Sequence, residues 1–136
     1  MKKVCFFLLL LVAAFVQVQG QSQKATVYLL RPDGPDKYVP YYTYIDQTLL
    51  CKLGRGKYSV HEVDPGEHKF HAQYKGNVKS TPETELIVNL EAGKTYYIAI
   101  NIVTKAFGKG SFYCTQLSEA EGVKWAEAFV LDKKCL

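Results

Sequence analysis

Strict alternation between apolar and polar side chains is the feature of this sequence that most constrains its fold. Three segments show the alternation: residues 67–74, 84–91 and 95–103. In the longest of them, four apolar side chains share one face: Tyr96, Ile98, Ile100 and Ile102. A period of two with one apolar face is typical of an antiparallel sheet whose other face is in water. We therefore expect Ile98, Ile100 and Ile102 to form the centre of a β-rich core.

Further β-rich runs are separated by short turn sequences. The runs cover residues 25–31, 41–46, 48–53, 58–63 and 111–117. The turn sequences are Pro32-Asp33-Gly34-Pro35, Asp46-Gln47, Gly54-Arg55-Gly56 and Asp64-Pro65-Gly66. Asp46-Gln47 joins two of the runs and predicts a β-hairpin. Seven or eight short strands at this spacing favour a sandwich or barrel, and we predict a mainly β fold, a single antiparallel β-sandwich.

The period of the pattern changes after residue 117. Ser118 followed by Glu121 predicts a capping box at the start of a helix. Apolar residues then recur at helical spacing: Val123, Trp125, Ala126, Phe129 and Val130. We expect one C-terminal α-helix of about twelve residues that buries this stripe on the sandwich. Gly122 weakens the helix by about 1 kcal/mol relative to Ala. The alternative is a helix whose aromatic stripe is exposed and docks onto a partner.

The first 20 residues read as a secretory signal peptide. Lys2 and Lys3 precede a run of thirteen apolar residues, and Val18 and Gly20 fit a cleavage site before Gln21. The run is too short for a membrane span of about 20 residues, although an N-terminal membrane anchor is the alternative. No cysteine follows the cleavage site, so a lipoprotein is not expected. The predicted location is periplasmic or secreted, with residues 21–136 forming one domain and no transmembrane segment left after cleavage.

Charge gives no indication of a nucleic-acid partner. The chain has 17 Lys and Arg against 13 Asp and Glu, and two of the lysines lie in the predicted signal peptide. The remaining basic residues are scattered singly, whereas nucleic-acid binding usually needs a clustered basic face. Aromatic residues make up 13% of the chain, which excludes a disordered protein.

Three cysteines follow the predicted signal peptide: Cys51, Cys114 and Cys135. An oxidising compartment permits one disulfide among them and leaves one thiol over. The alternative is three reduced, buried thiols. None of the spacings is that of a zinc site.

No catalytic motif or cofactor site is expected. The chain has no G-x-S-x-G, H-E-x-x-H or P-loop sequence. His61, His68 and His71 lie close in sequence, but strand alternation places His68 and His71 on opposite faces, so we expect no metal. We therefore predict a protein that is not an enzyme and has no cofactor.

Several of these motifs resemble one protein family. The segments that carry the resemblance are Ala25-Thr26-Val27-Tyr28-Leu29-Leu30-Arg31-Pro32, Tyr44-Ile45-Asp46, Gly56-Lys57-Tyr58, Asp64-Pro65-Gly66-Glu67-His68 and Ala92-Gly93-Lys94-Thr95-Tyr96-Tyr97-Ile98. In this order they resemble the domain of unknown function 2846 family, and the last two are also similar to PEGA-type surface-layer domains. The match covers residues 24–103, whereas the C-terminal strand and helix, residues 109–131, lie outside it. The resemblance implies an exported β-sandwich without established catalysis, and it carries over no functional residue.

The tyrosines are the most suggestive candidates for a binding surface. Tyr38, Tyr41, Tyr42 and Tyr44 fall within seven residues. Exposed tyrosines anchor protein partners or stack on sugar rings, although Tyr also fills sandwich rims. The predicted function is a non-catalytic exported module that binds a protein or glycan partner in the cell envelope or outside the cell. The alternative is a carbohydrate-binding module that uses these four side chains.

Overall fold

The computed structural model describes residues 23–104, 106, 107 and 110–135, which form two facing β-sheets and a helix. The strands are β1 (Ala25–Arg31), β2 (Tyr41–Ile45), β3 (Thr48–Leu53), β4 (Lys57–Val63), β5 (Gly66–Gln73), β6 (Leu86–Leu90), β7 (Thr95–Val103), β8 (Ser111–Leu117) and β9 (Val130–Leu131). The helix is α1 (Glu119–Ala128). The predicted mainly β sandwich with a C-terminal helix is confirmed. The predicted signal peptide, residues 1–20, lies outside the described residues.

The first sheet has five strands in the order β8-β7-β1-β4-β9. Strand β1 lies at its centre, antiparallel to β4 and parallel to β7, and β9 is parallel to β4. This sheet is therefore mixed, whereas the sequence predicted antiparallel pairing throughout. Side-chain alternation reports which face of a strand is buried and not the direction of the neighbouring strand. Both parallel pairs join segments that are distant in the sequence, which is why local patterns did not reveal them.

The second sheet has four strands in the order β3-β2-β5-β6, all antiparallel. Strands β2 and β3 form the predicted hairpin. Asp46 and Gln47 both have positive φ, 46° and 68°. This is the backbone of a two-residue hairpin turn whose twist matches that of the strands.

The core lies between the two sheets and draws on every strand from β1 to β8. Its fully buried apolar side chains include Val27, Leu29, Leu53, Phe70, Leu90, Ile98 and Ile100. The prediction for Ile98 and Ile100 is confirmed, while Ile102 is only half-buried. Strand β7 is buried on both faces, because Tyr97 and Ala99 on its outer face are covered as well.

Helix α1 begins at the predicted capping box and packs on the outer face of β7. The Ser118 hydroxyl and the Glu121 carboxylate accept hydrogen bonds from each other's backbone N–H groups. The helix residue that is buried is Gly122, which lies against the ring of Tyr97. Trp125, Ala126 and Phe129 of the predicted stripe are half-buried, whereas Val123 and Val130 are exposed, so the stripe covers the packing face only in part. Glycine lets the helix backbone approach the sheet closely, and helical periodicity does not register a residue without a side chain.

After α1 the chain crosses the open side of the sandwich as a short segment, Val130–Cys135, which we call the C-terminal strap. The backbone N–H of Val130 donates to the Gly56 carbonyl (3.1 Å), and that of Asp132 donates to the Tyr58 carbonyl (2.8 Å). A disulfide joins Cys135 to Cys51 in β3. The strap thus ties the β4 edge of one sheet to the β3 edge of the other. No helix in the part of the chain that the structure describes is long and apolar enough to cross a membrane.

Candidate functional site

An open cavity of about 620 Å³ lies where the C-terminal strap meets the two sheet edges. Its wall has an apolar part from β3, β4 and the strap, formed by Leu49, Leu50, Val60 and Leu131. Val60 and Leu131 are 40% and 39% exposed, so apolar surface faces the solvent here. We call this space the strap cavity.

The disulfide beside the strap cavity, to whose lining Cys135 belongs, is the main covalent constraint on the fold. Cys51 and Cys135 are 84 residues apart in sequence, and their Cα atoms are 5.0 Å apart. Closing so long a loop removes much entropy from the unfolded chain, and such bridges contribute about 2–5 kcal/mol. The backbone N–H of Lys52 also donates to the Cys135 carbonyl. The sequence left three pairings open, and the structure selects this one.

The third cysteine is remote from the strap. Cys114 lies in β8, where it is buried and unpaired among the described residues. Burial raises the pKa of its thiol to about 12. A thiol in such surroundings is inert, because the thiolate is the reactive form.

His61 in β4 lies beside the disulfide. One of its ring nitrogens and the Sγ atoms of Cys51 and Cys135 are all within 4.8 Å of one another. The His61 Nε2 atom is 2.8 Å from the Ser59 hydroxyl oxygen, which fixes the orientation of the ring. Burial lowers the pKa of His61, so the imidazole is neutral at physiological pH.

Two lysines contribute positive charge to the lining of the strap cavity. Lys133 and Lys134 belong to its lining and are exposed. The acidic residue of the lining, Asp132, is paired with Lys57 at 3.1 Å between Oδ2 and Nζ. Because this pair neutralises itself, the two strap lysines leave the cavity with an excess of positive charge.

The four tyrosines of the predicted binding surface do not share an exposed face. Tyr41 and Tyr44 are buried, at 2% and 6% exposure, and Tyr42 is half-buried. Tyr38 is 87% exposed. Burial raises the pKa of both Tyr41 and Tyr44. The structure therefore gives no support to a sugar-binding platform built from all four rings. Side-chain alternation along β2 turns Tyr41 toward the core, where stacking on a ligand is prevented.

Tyr41 belongs instead to a polar network that pins residues 32–40 to one end of the sandwich. The buried Arg31 guanidinium lies 3.4 Å from the centre of the Tyr41 ring and donates to three backbone carbonyls. The hydroxyls of Tyr41 and Tyr74 both donate to Asp36 Oδ2, at 3.0 and 2.5 Å. Apart from the buried Arg31 Nε, which has no hydrogen-bond partner among the described residues, the polar groups of this network bind one another or the backbone, so its role is to hold the segment in place.

The three histidines have separate partners. His68 Nδ1 is 2.7 Å from Asp46 Oδ2, and His71 Nε2 is 3.0 Å from Gln73 Oε1. His61 lies with the cysteines of the strap. In the sequence the three histidines stand close together, and nothing there indicates that His61 lies near Cys51 and Cys135. These three residues meet only in the tertiary fold.

In comparisons with known proteins, no family model matches the chain and no curated protein is significantly similar to it. The resemblance to the domain of unknown function 2846 family stays a prediction.

Proposed function

We propose that this protein is an exported, non-catalytic binding module whose ligand occupies the strap cavity. The ligand we propose is a small amphiphile with an apolar body and an anionic group. The observation that carries this proposal is an open, partly apolar cavity of about 620 Å³ bordered by Lys133 and Lys134.

Export is supported by the disulfide. Disulfides persist in oxidising compartments such as the periplasm or the extracellular space and are rare in the cytosol. The Cys51–Cys135 bridge is consistent with such a compartment. It also agrees with the signal peptide read from residues 1–20.

The size and chemistry of the cavity support a small ligand. Sites for small molecules typically measure about 300–1,000 Å³ and combine apolar walls with a few polar groups. In the strap cavity the apolar wall comes from Leu50, Val60 and Leu131, and the polar groups include the two strap lysines. The apolar body of the ligand would cover the exposed Val60 and Leu131 side chains. Its anionic group would pair with the two strap lysines.

Titration with anilinonaphthalene sulfonate tests the proposal, because this probe is apolar, anionic and fluorescent on burial. We expect one saturable site on the folded, oxidised protein. The double change Lys133→Glu and Lys134→Glu should weaken binding by about tenfold or more, since tenfold corresponds to only ~1.4 kcal/mol. Val60→Asp, which places a carboxylate in the apolar wall, should also weaken it.

A matched control is provided by a second open cavity of about 400 Å³, which also carries two lysines, Lys75 and Lys79. Changing both of these to Glu should leave the affinity for the probe unaltered. Equal losses from the two lysine pairs, or no saturable binding by the wild type, would refute a ligand site under the strap. Unfolding midpoints of each variant distinguish loss of the site from binding of the probe to a loosened core.

Export is tested separately by intact-mass analysis of the protein recovered outside the cytoplasm. A chain that begins at Gln21 and carries no lipid is expected. Retention of residues 1–20 in a membrane fraction would contradict the proposed location.

A further inference from the structure

We propose that Cys51, Cys135 and His61 form a binding site for Zn²⁺ when the disulfide is reduced. The inference does not rest on the proposed amphiphile, because it concerns the reduced protein and different ligand atoms, although His61 and Cys135 also line the strap cavity. In the oxidised protein the two sulfur atoms are bonded to each other, so the disulfide and the metal site exclude one another.

The positions of the three ligand atoms carry the proposal. They lie within 4.8 Å of one another. In a tetrahedral site with Zn–S bonds of ~2.3 Å and Zn–N bonds of ~2.0 Å, ligand atoms are about 3.5–4 Å apart. Small side-chain rotations therefore suffice to bring two thiolates and one imidazole around a metal. The backbones that carry the two sulfur atoms are held by pairing, Cys51 in β3 and Cys135 through the Lys52 hydrogen bond.

The surroundings of His61 suit a ligand. Ser59, its neighbour on the same face of β4, is buried and contacts His61 Nε2. In metal-binding histidines, a hydrogen bond to the ring nitrogen that does not bind the metal orients the imidazole. The strap cavity, which His61 and Cys135 line, leaves room for water at the fourth coordination position.

The chemistry balances in two steps. In the first, an exported dithiol transfers two electrons and two protons to the bridge, the Sγ–Sγ bond breaks, and the dithiol becomes a disulfide. In the second, Zn²⁺ replaces the two thiol protons, which pass to solvent, and forms bonds to both sulfur atoms and to one nitrogen of His61. The strap thus stays attached to β3 in both states, by a covalent bond in one and by the metal in the other.

Titration with Co²⁺, a spectroscopic substitute for Zn²⁺, tests the site on the secreted protein. The protein is reduced with a phosphine, which is oxidised to its oxide, and is then freed of reductant. We expect one equivalent of Co²⁺ to give thiolate charge-transfer bands and visible bands of tetrahedral geometry. Zn²⁺ should displace the cobalt, and the oxidised protein should give no such bands.

Three variants distinguish the site from unspecific thiol binding. His61→Ala should weaken the affinity by at least the ~10–100-fold that outer-shell changes alone produce. Cys114→Ser and His68→Ala are matched controls from outside the site, and both should bind as the wild type does. Circular dichroism of the reduced protein records whether the fold persists.

Equal affinity of His61→Ala and the wild type would overturn the proposal. So would a loss of binding in Cys114→Ser, or tetrahedral bands in the oxidised protein. If reduction unfolds the chain and one equivalent of metal does not restore the folded spectrum, the proposal is also wrong, because a preformed site must stabilise the fold by mass action.

Discussion

At the scale of residues, partly buried polar side chains stabilise this fold mainly through their hydrogen bonds to one another. Asp36 shows this, because one of its carboxylate oxygens accepts the hydroxyl hydrogens of both Tyr41 and Tyr74. Desolvation raises the pKa of Tyr74 to about 12, and the hydrogen bond to Asp36 and its charge add to the effect. The phenol ring packs edge-on against Phe112. A single tyrosine thus links the segment before β2 to β8.

Tyr74 makes stability dependent on pH in the alkaline range. Its pKa is about 12 in the folded protein and about 10 in an unfolded chain. Between these values the unfolded state releases the proton while the folded state keeps it, so raising the pH favours unfolding. The stabilisation is complete below about pH 10 and is lost as the pH rises toward 12. Denaturant unfolding from pH 8 to 12 measures this.

Tyr74→Phe provides the comparison. It should lower the free energy of unfolding by about 1–3 kcal/mol near neutral pH, because a hydrogen bond to a charged group is lost. It should also flatten the alkaline decline. Tyr38→Phe, at an 87% exposed position, should change neither quantity. An alkaline slope that is the same in Tyr74→Phe and the wild type would assign the decline to other groups.

At the scale of elements, the closest contact of the helix with the sheet is made by a glycine, and only part of the predicted apolar stripe is half-buried beside it. Gly122 is buried against Tyr97, while Val123 and Lys124 beside it are exposed. A Cβ atom on residue 122 would overlap the Tyr97 ring. The sequence suggested that glycine weakens this helix, whereas its position in the structure shows why glycine is required there.

Gly122→Ala should therefore destabilise the protein despite the higher helix propensity of alanine. Overpacking of this kind costs about 1–3 kcal/mol, which exceeds the ~1 kcal/mol that alanine gains in a helix. Denaturant midpoints measure the difference. Gly34→Ala is the matched control, because the nearest heavy atom to a Cβ there is the Tyr41 hydroxyl oxygen at 3.7 Å.

Removing the obstruction should reverse the effect. In a Tyr97→Gly background, which removes both the ring and the Tyr97 Cβ that would overlap the new Cβ, the change Gly122→Ala should become neutral or stabilising, since only the helix propensity remains. If Gly122→Ala unfolds at the wild-type midpoint in the Tyr97 protein, the helix does not pack as closely as the structure indicates.

At the scale of the whole molecule, stability comes from one core between two sheets and from the strap that ties their edges. Strand β7 is central to the first sheet and the core, because it pairs with β1 and β8 and carries buried residues on both faces. Ile100 on its inner face is 1% exposed.

Ile100→Ala should reduce the free energy of unfolding by about 2–5 kcal/mol, because it leaves a cavity in the core. This is a large part of the total of about 5–15 kcal/mol that a small domain has. Ile87→Ala in β6 is the control, since that side chain is 54% exposed and its truncation should cost less than ~1 kcal/mol. Similar melting temperatures for Ile100→Ala and Ile87→Ala would contradict the description of this core.

Local features of the chain determined much of the architecture. The capping box at Ser118 and the hairpin at Asp46-Gln47 form as predicted, because their hydrogen bonds or backbone angles involve residues close in sequence. The alternation along β7 correctly identified Ile98 and Ile100 as core residues, since a strand presents every second side chain to the same face.

The tertiary structure alone decided how distant segments meet. The parallel pairing of β1 with β7 and the bridge between Cys51 and Cys135 join residues that no local pattern connects. Gly122 gained its role only because a helix lies on Tyr97. His61 became part of a candidate site when the strap brought Cys135 to it. The sequence specifies the period and the ends of each element, but contacts between elements depend on the packing of the whole core.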